Sequence, residues 1–138
     1  QTIIRHGMDW HTTPVEKIMT SRADIVSIKN TELLGPLVLD DLHRSGHSRF
    51  PVIRGSLDGI IGVLDVTDLL EATAGRHSQS VESVMSAQVL RVELDETLPA
   101  ALSLLKKSRQ HLLIVVDENG RTVGIVTLSD ITTSLLGR

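Results

Sequence analysis

Few residues in this sequence have the type and spacing to do chemistry. There is no cysteine, so disulfides, thiolate metal sites and a cysteine nucleophile are excluded. Apart from His47, the histidines His6, His11, His43, His77 and His111 show no ligand spacing of the kind a zinc-binding helix uses. Neither a Gly-x-Ser-x-Gly elbow nor a Gly-x-x-x-x-Gly-Lys phosphate loop occurs, and no nucleophile–base pair emerges. Catalysis is therefore not expected. What remains is suited to binding. Asp68 and Asp130 stand where helices are expected to begin, and Thr127 lies three residues before Asp130 at the end of an apolar run. An aspartate there is either a ligand-facing acceptor or simply a helix cap, a role its type favours. Thr127 is also an ordinary strand residue. Arg49 offers a planar, permanently charged fork that fits a phosphate or a neighbouring carboxylate.

The elements that must position these residues come in two copies. Val15-Glu16-Lys17-Ile18-Met19-Thr20 returns as Val81-Glu82-Ser83-Val84-Met85-Ser86, an offset of 66. The apolar stretch Ile25 to Ile28 returns as Val89 to Val92, offset 64, and Gly62-Val63-Leu64-Asp65-Val66-Thr67-Asp68-Leu69 as Gly124-Ile125-Val126-Thr127-Leu128-Ser129-Asp130-Ile131, offset 62. Blocks kept in order at slowly shrinking offsets are the mark of an internal duplication. Each copy predicts a strand (25–28, then 89–92), a helix, two further strands and a last helix. Pro36 opens the first helix and Gly46 follows it. Thr97 and Pro99 open its counterpart, with Lys106 and Lys107 in the favourable last turn. Phe50 to Ile53 pairs with Ile60 to Leu64, and Leu112 to Val116 with Thr122 to Thr127 across Asp117-Glu118-Asn119-Gly120, a hairpin signal. The continuous runs Ile114-Val115-Val116 and Ile125-Val126 predict strands buried on both faces. The fold class is thus α+β, two β-α-β-β-α units packed as a pseudo-twofold pair through their sheets, with 1–14 as a lead, 15–76 the first unit and 77–138 the second.

Composition agrees with such a domain. The 138 residues are 41% hydrophobic and 22% charged, values of an ordinary globular chain. A net charge of -3 without a basic stripe, and only Trp10 and Phe50 as aromatics, argue against nucleic acid as a partner. No apolar run approaches the roughly 20 residues of a membrane-spanning helix. The chain begins with Gln1 rather than methionine and is read as a piece of something longer. Trp10 is expected either to fold against the units, to meet a partner subunit or to stay mobile.

Two units ending in Gly-apolar-apolar-(Thr)-x-x-Asp resemble a tandem pair of cystathionine-β-synthase (CBS) domains, the Bateman module, over about residues 15–136. Ser45-Gly46-His47-Ser48-Arg49-Phe50-Pro51-Val52, followed by Ile60-Ile61-Gly62-Val63-Leu64, is similar to the first CBS domain of the hemolysin-C and magnesium/cobalt-efflux (CorC-type) proteins. So is Ile18-Met19-Thr20-Ser21-Arg22, although that family usually has proline where Ser21 stands. His111-Leu112-Leu113-Ile114-Val115-Val116-Asp117-Glu118 with Gly124-Ile125-Val126-Thr127 resembles its second. The CNNM magnesium transport mediators share the arrangement.

The resemblance implies a cytosolic regulatory pair, soluble by itself and tethered to a membrane domain absent from this chain, that binds an adenosine nucleotide, ATP with Mg²⁺ or AMP, and modulates divalent-cation transport or efflux. Asp130 would accept hydrogen bonds from the ribose hydroxyls, Thr127 would meet phosphate, and the helix amides there would favour an anion. Ile125 and Val89 would face the adenine and Thr20 would lie near it. His47, Ser48 and Arg49 would form the opposite wall, closed by Pro51. Asp65 stands where the motif wants threonine and would repel phosphate, so one occupied site per chain is expected. The family also implies a homodimer. Two other readings stay open: a nucleotide-free dimerisation or interaction module, and the regulatory pair of an enzyme.

Overall fold

A computed structural model describes residues 9–65 and 79–136. His6, His77 and the expected helix start near Asp68 lie outside these residues. In chain order the elements are β1 (Thr20–Ser21), β2 (Ile28–Lys29), α1 (Pro36–Arg44), β3 (Arg49–Arg54), β4 (Ser56–Asp65), α2 (Val81–Val84), β5 (Leu90–Glu93), α3 (Leu98–Ser108), β6 (Leu112–Val116), β7 (Thr122–Thr127) and α4 (Leu128–Leu135). One sheet has the order β1-β7-β6-β5 and the other β2-β3-β4. Strands β2 and β5 run parallel to β3 and β6, and each hairpin is antiparallel. The fold is α+β, as expected.

Local chemistry explains most boundaries. Pro36 takes the first turn of α1, where its missing N–H costs nothing. The Thr97 side chain accepts from the Ala100 N–H to start α3, and Lys106 and Lys107 fall in its last turn. All five residues of β6 are buried, as a run apolar on both faces requires. The strand expected at 25–28 begins only at Ile28, because Arg22–Asp24 makes a 3-10 turn and leaves Ile25 to Ser27 as connector. The strand expected at 89–92 is shifted by one, to Leu90–Glu93. Strand β4 reaches back to Ser56, well before Ile60, and its hairpin turns through Gly55.

The structure contains two compact units. One takes the described part of Gln1–Ile25 with that of Leu90–Arg138; the other takes the described part of Val26–Val89. They do not coincide with the two sequence repeats, because each repeat gives its opening motif to the other's sheet. In the first unit Pro14 bridges Thr97, the Val15 N–H donates to the Glu96 carbonyl at 2.7 Å, and β1 pairs with β7. In the second unit Ser80 bridges Leu33, the Glu82 N–H donates to the Asn30 carbonyl at 3.3 Å, and Ser86 bridges Val63. The glycines that open the last strand block allow the seating. A Cβ at Gly124 would lie 2.6 Å from the Thr20 carbonyl oxygen, and one at Gly62 equally close to that of Ser86. Met19 and Met85 lie over these bare positions.

Each unit has its own apolar core. Val15, Leu98, Ala101, Leu105, Leu113, Val115, Val126 and Ile131 fill the first, and Trp10 joins them at 8% exposure. Trp10 is therefore folded against its unit, held in a 3-10 turn that Asp9 caps by accepting from the His11 N–H. The second core gathers Ile28, Leu34, Leu42, Phe50, Val52, Leu64 and Val81.

Candidate functional site

In the first unit the candidate residues meet at the end of β7. The extended Thr127 is the N-cap of α4: its hydroxyl oxygen accepts the Asp130 N–H at 3.0 Å, while Asp130 Oδ2 accepts the Thr127 N–H at 2.9 Å. This is a reciprocal capping box. The cap is thus Thr127, and Asp130 is the third residue of the helix rather than its cap; a β-branched residue leaving a strand is already in the extended conformation a cap needs. Both side chains are partly buried. The Leu128 N–H donates to the His111 carbonyl at 2.8 Å, tying the helix start to the start of β6. Thr20 pairs with Ile125 across β1 and β7, and both are half-buried. Thr20, Ile125, Thr127 and Asp130 therefore come together on one sheet end, although more than 100 residues separate the first from the others.

The remaining candidates belong to the second unit. His47 and Ser48 are exposed in the turn after α1, and the His47 ring meets Phe50 edge-on at 6.3 Å. Gly46, at φ 79°, ends the helix ahead of them. His43 and His47 are four apart, but the helix stops at Arg44, so they do not share a helical face. Among the described residues no group of three or more His, Asp or Glu side chains is placed to hold a metal ion. Pro51 is buried in β3 opposite Val63, beyond the reach of β2, which pairs only with Val52 and Ile53. Its missing N–H therefore breaks no ladder bond to β2. Val89 is half-buried just before β5.

Arg49 has a partner that sequence reasoning left unnamed. Its Nε lies 2.9 Å from Asp65 Oδ2, directly across the β3–β4 hairpin, with the side chains 27% and 26% exposed. The alignment is poor for a hydrogen bond, since the same Nε is buried without one; the contact is an ion pair. Asp65 is thus a compensated charge, which weakens the idea that it disables a phosphate site by repulsion. The pair could have been found from register: Arg49 and Asp65 face each other as Leu112 and Thr127 do in the other hairpin.

Comparison with known proteins follows this geometry. The CBS domain family matches residues 15–75 and 81–137. A Rickettsia prowazekii (strain Madrid E) protein named hemolysin C is 32% identical over 90% of this chain, which spans 41% of that protein. A hemolysin C homolog of Rickettsia rickettsii (strain Sheila Smith) is 28% identical over the whole chain, which spans 46% of it. The chain thus covers less than half the length of these relatives. Among solved structures, the CBS domain of a bacterial CNNM/CorC family Mg²⁺ transporter in complex with ATP is 33% identical, with a TM-score of 0.86 over 99% of this chain and 96% of that one. No helix among the described residues is long and apolar enough to cross a membrane. The duplicated motifs, the two strand–helix–hairpin copies and the family match over both halves agree: this chain belongs to the CBS domain family, as a tandem pair similar to those of hemolysin C and CNNM/CorC proteins.

Proposed function

We propose that this CBS pair is a non-catalytic regulatory module that binds an adenosine nucleotide, ATP with Mg²⁺ or AMP, and modulates a longer membrane protein that transports or exports divalent cations such as magnesium or cobalt. The observation that carries the reading is the head of α4. There, among the described residues, the Asp130 carboxylate is held through Oδ2, so Oδ1 can accept from a ribose hydroxyl. The Thr127 oxygen accepts within the box, so its own proton remains to donate to phosphate. Thr20 and Ile125 stand beside them on paired strands, suited to the base. His47, Ser48, Arg49, Pro51 and Val89 remain the further ligand residues that the family resemblance implies. The ATP-bound relative supports the choice of ligand. The parent is proposed to hold the module at the cytosolic face, as a homodimer, with 15–76 and 77–138 as the two CBS domains and 1–14 as the lead from the membrane domain. A ligand regulates such a parent only through different affinity for its two states, commonly worth about 1–3 kcal/mol.

A second reading has its own support. The capping box already employs Thr127 and Asp130, so helix capping alone accounts for both side chains. On that reading the chain is a nucleotide-free interaction module. Calorimetric titration of the purified chain with ATP and AMP, each with and without Mg²⁺, separates the two. Saturable binding near one per chain is expected. Asp130→Asn should weaken it, since a bond to a charged acceptor is worth about 1.5–3 kcal/mol, while keeping a capping oxygen. A folded sample that binds neither nucleotide establishes the interaction module instead.

A further inference from the structure

Arg109 occupies a backbone position that its own repeat partner gives to glycine. It ends α3 at φ 57° and ψ 40° and is the one non-glycine residue with positive φ among the described residues. The Arg109 N–H donates to the Lys106 carbonyl and the Gln110 N–H to that of Leu105, the paired bonds of a helix terminated in the left-handed region. The equivalent residue after α1 is Gly46, at φ 79°. Glycine adopts this conformation without steric cost, whereas a side chain does not. The carbonyl end of α3 favours the charges of Lys106, Lys107 and Arg109 alike, but it does not explain why a side chain, rather than glycine, holds the left-handed position.

A run of basic residues also gathers at one end of the first unit's sheet. Strands β5 and β6 run parallel, so Glu93, Asp95, Glu96, Asp117 and Glu118 lie at one end of the sheet, together with Arg121 in the β6–β7 turn and Arg22, whose guanidinium donates to the Thr122 carbonyl. Lys106, Lys107, Arg109 and His111 lie at the opposite end, and no acidic residue occurs between Glu96 and Asp117. Among the described residues Lys106, Lys107 and Arg109 make no ion pair. That end is where β7 finishes: Leu112 faces Thr127, and the His111 carbonyl takes the Leu128 N–H. The basic turn therefore adjoins the Thr127–Asp130 site.

We propose that Arg109 is a phosphate-facing residue of this site and gives it preference for nucleoside di- and triphosphates over monophosphates. The inference rests on the nucleotide reading of Thr127 and Asp130 and adds a residue and a selectivity to it. A guanidinium held in water beside a polyphosphate acts mainly as a screened charge, so its effect grows with ligand charge and falls with salt. The test is titration of wild type and Arg109→Gly with adenosine, AMP, ADP and ATP at low and high salt, together with thermal melting. Gly46 shows that glycine is accommodated at this turn, so Arg109→Gly should melt no lower than wild type. It should lose about fivefold in ATP affinity, the size of one partly exposed charge pair, with adenosine unchanged and a shallower salt dependence. Equal loss for all four ligands, or an unchanged ATP-to-AMP ratio, would overturn the assignment of Arg109 while leaving the nucleotide site standing. Wild type that binds none of them overturns both.

Discussion

Gly124 is where the exchange between repeats is tightest, and Gly124→Ala measures it. The backbone there has no positive φ, so on conformational entropy alone alanine would stabilise by about 0.4–1 kcal/mol. Space decides otherwise. The added Cβ would sit 2.6 Å from the Thr20 carbonyl oxygen and 2.5 Å from Met19 Sδ. The thioether can swing aside, because methionine is long and unbranched. The carbonyl cannot, because it belongs to β1, which is only two residues long and pairs Ser21 with Gly124 itself. Relief therefore means pushing β1 off the sheet edge. Overpacking of this kind costs about 1–3 kcal/mol, which outweighs the entropic gain and lowers the melting temperature by roughly 3–9 °C for a chain of this size. Urea unfolding followed by circular dichroism and by the fluorescence of Trp10, the one tryptophan, reads the change. Adding Met19→Ala should recover only part of it. A Gly124→Ala protein within about 0.5 kcal/mol of wild type would refute the seating of the opening motif on β7.

Other perturbations probe the remaining joints. Asp65→Thr alone should destabilise by about 1 kcal/mol, the discounted value of an ion pair about a quarter exposed, whereas Asp65→Thr with Arg49→Leu installs the second hairpin's Leu112–Thr127 pair and should recover most of it in thermal melts. If Asp65 nonetheless suppresses a second site, Asp65→Thr should raise nucleotide stoichiometry toward two per chain; a value still at one removes repulsion as the cause. Trp10→Ala should cost about 3–5 kcal/mol in urea unfolding, because the ring is only 8% exposed in the first unit's core; a cost under 1 kcal/mol would mean the lead is not part of that core. A peptide of residues 26–89 retains the whole second core, while one of 15–76 lacks the fully buried Val81. The first should melt cooperatively and the second should not, as judged by circular dichroism.

How much of this was legible in the sequence depends on how far apart the interacting residues are. The duplication, the hairpins and both helix starts can be read locally, since Pro36, Thr97 and Gly46 act within a turn of themselves. The motif Thr127-Leu128-Ser129-Asp130 was visible as a pair of polar residues, but not which of the two caps. That choice depends on φ and ψ at the exit of β7, which the three-dimensional structure sets. The Arg49–Asp65 contact was hidden because the register shifts between Ile53/Arg54 and Val52/Ile53, on the way from the turn at Gly55, carry the pairing out of the turn's own frame, and a shift of one residue sends a side chain to the opposite face. The exchange of opening motifs was hidden for a deeper reason. A periodic pattern marks a residue as buried without saying against which copy it is buried, and in a duplicated chain both copies offer the same apolar surface. Val15 and Val81 read identically in sequence, yet each completes the core of the unit formed by the other repeat. The bare edge at Gly62 and Gly124 is the one local sign of this, because a glycine in an otherwise β-branched strand marks a place where another backbone comes close. Such a pair of cores cannot be cut apart at the repeat boundary without opening both. This argues that the two CBS copies fold as a pair, and that the nucleotide proposed to sit at the head of α4 would act on a structure to which both repeats contribute.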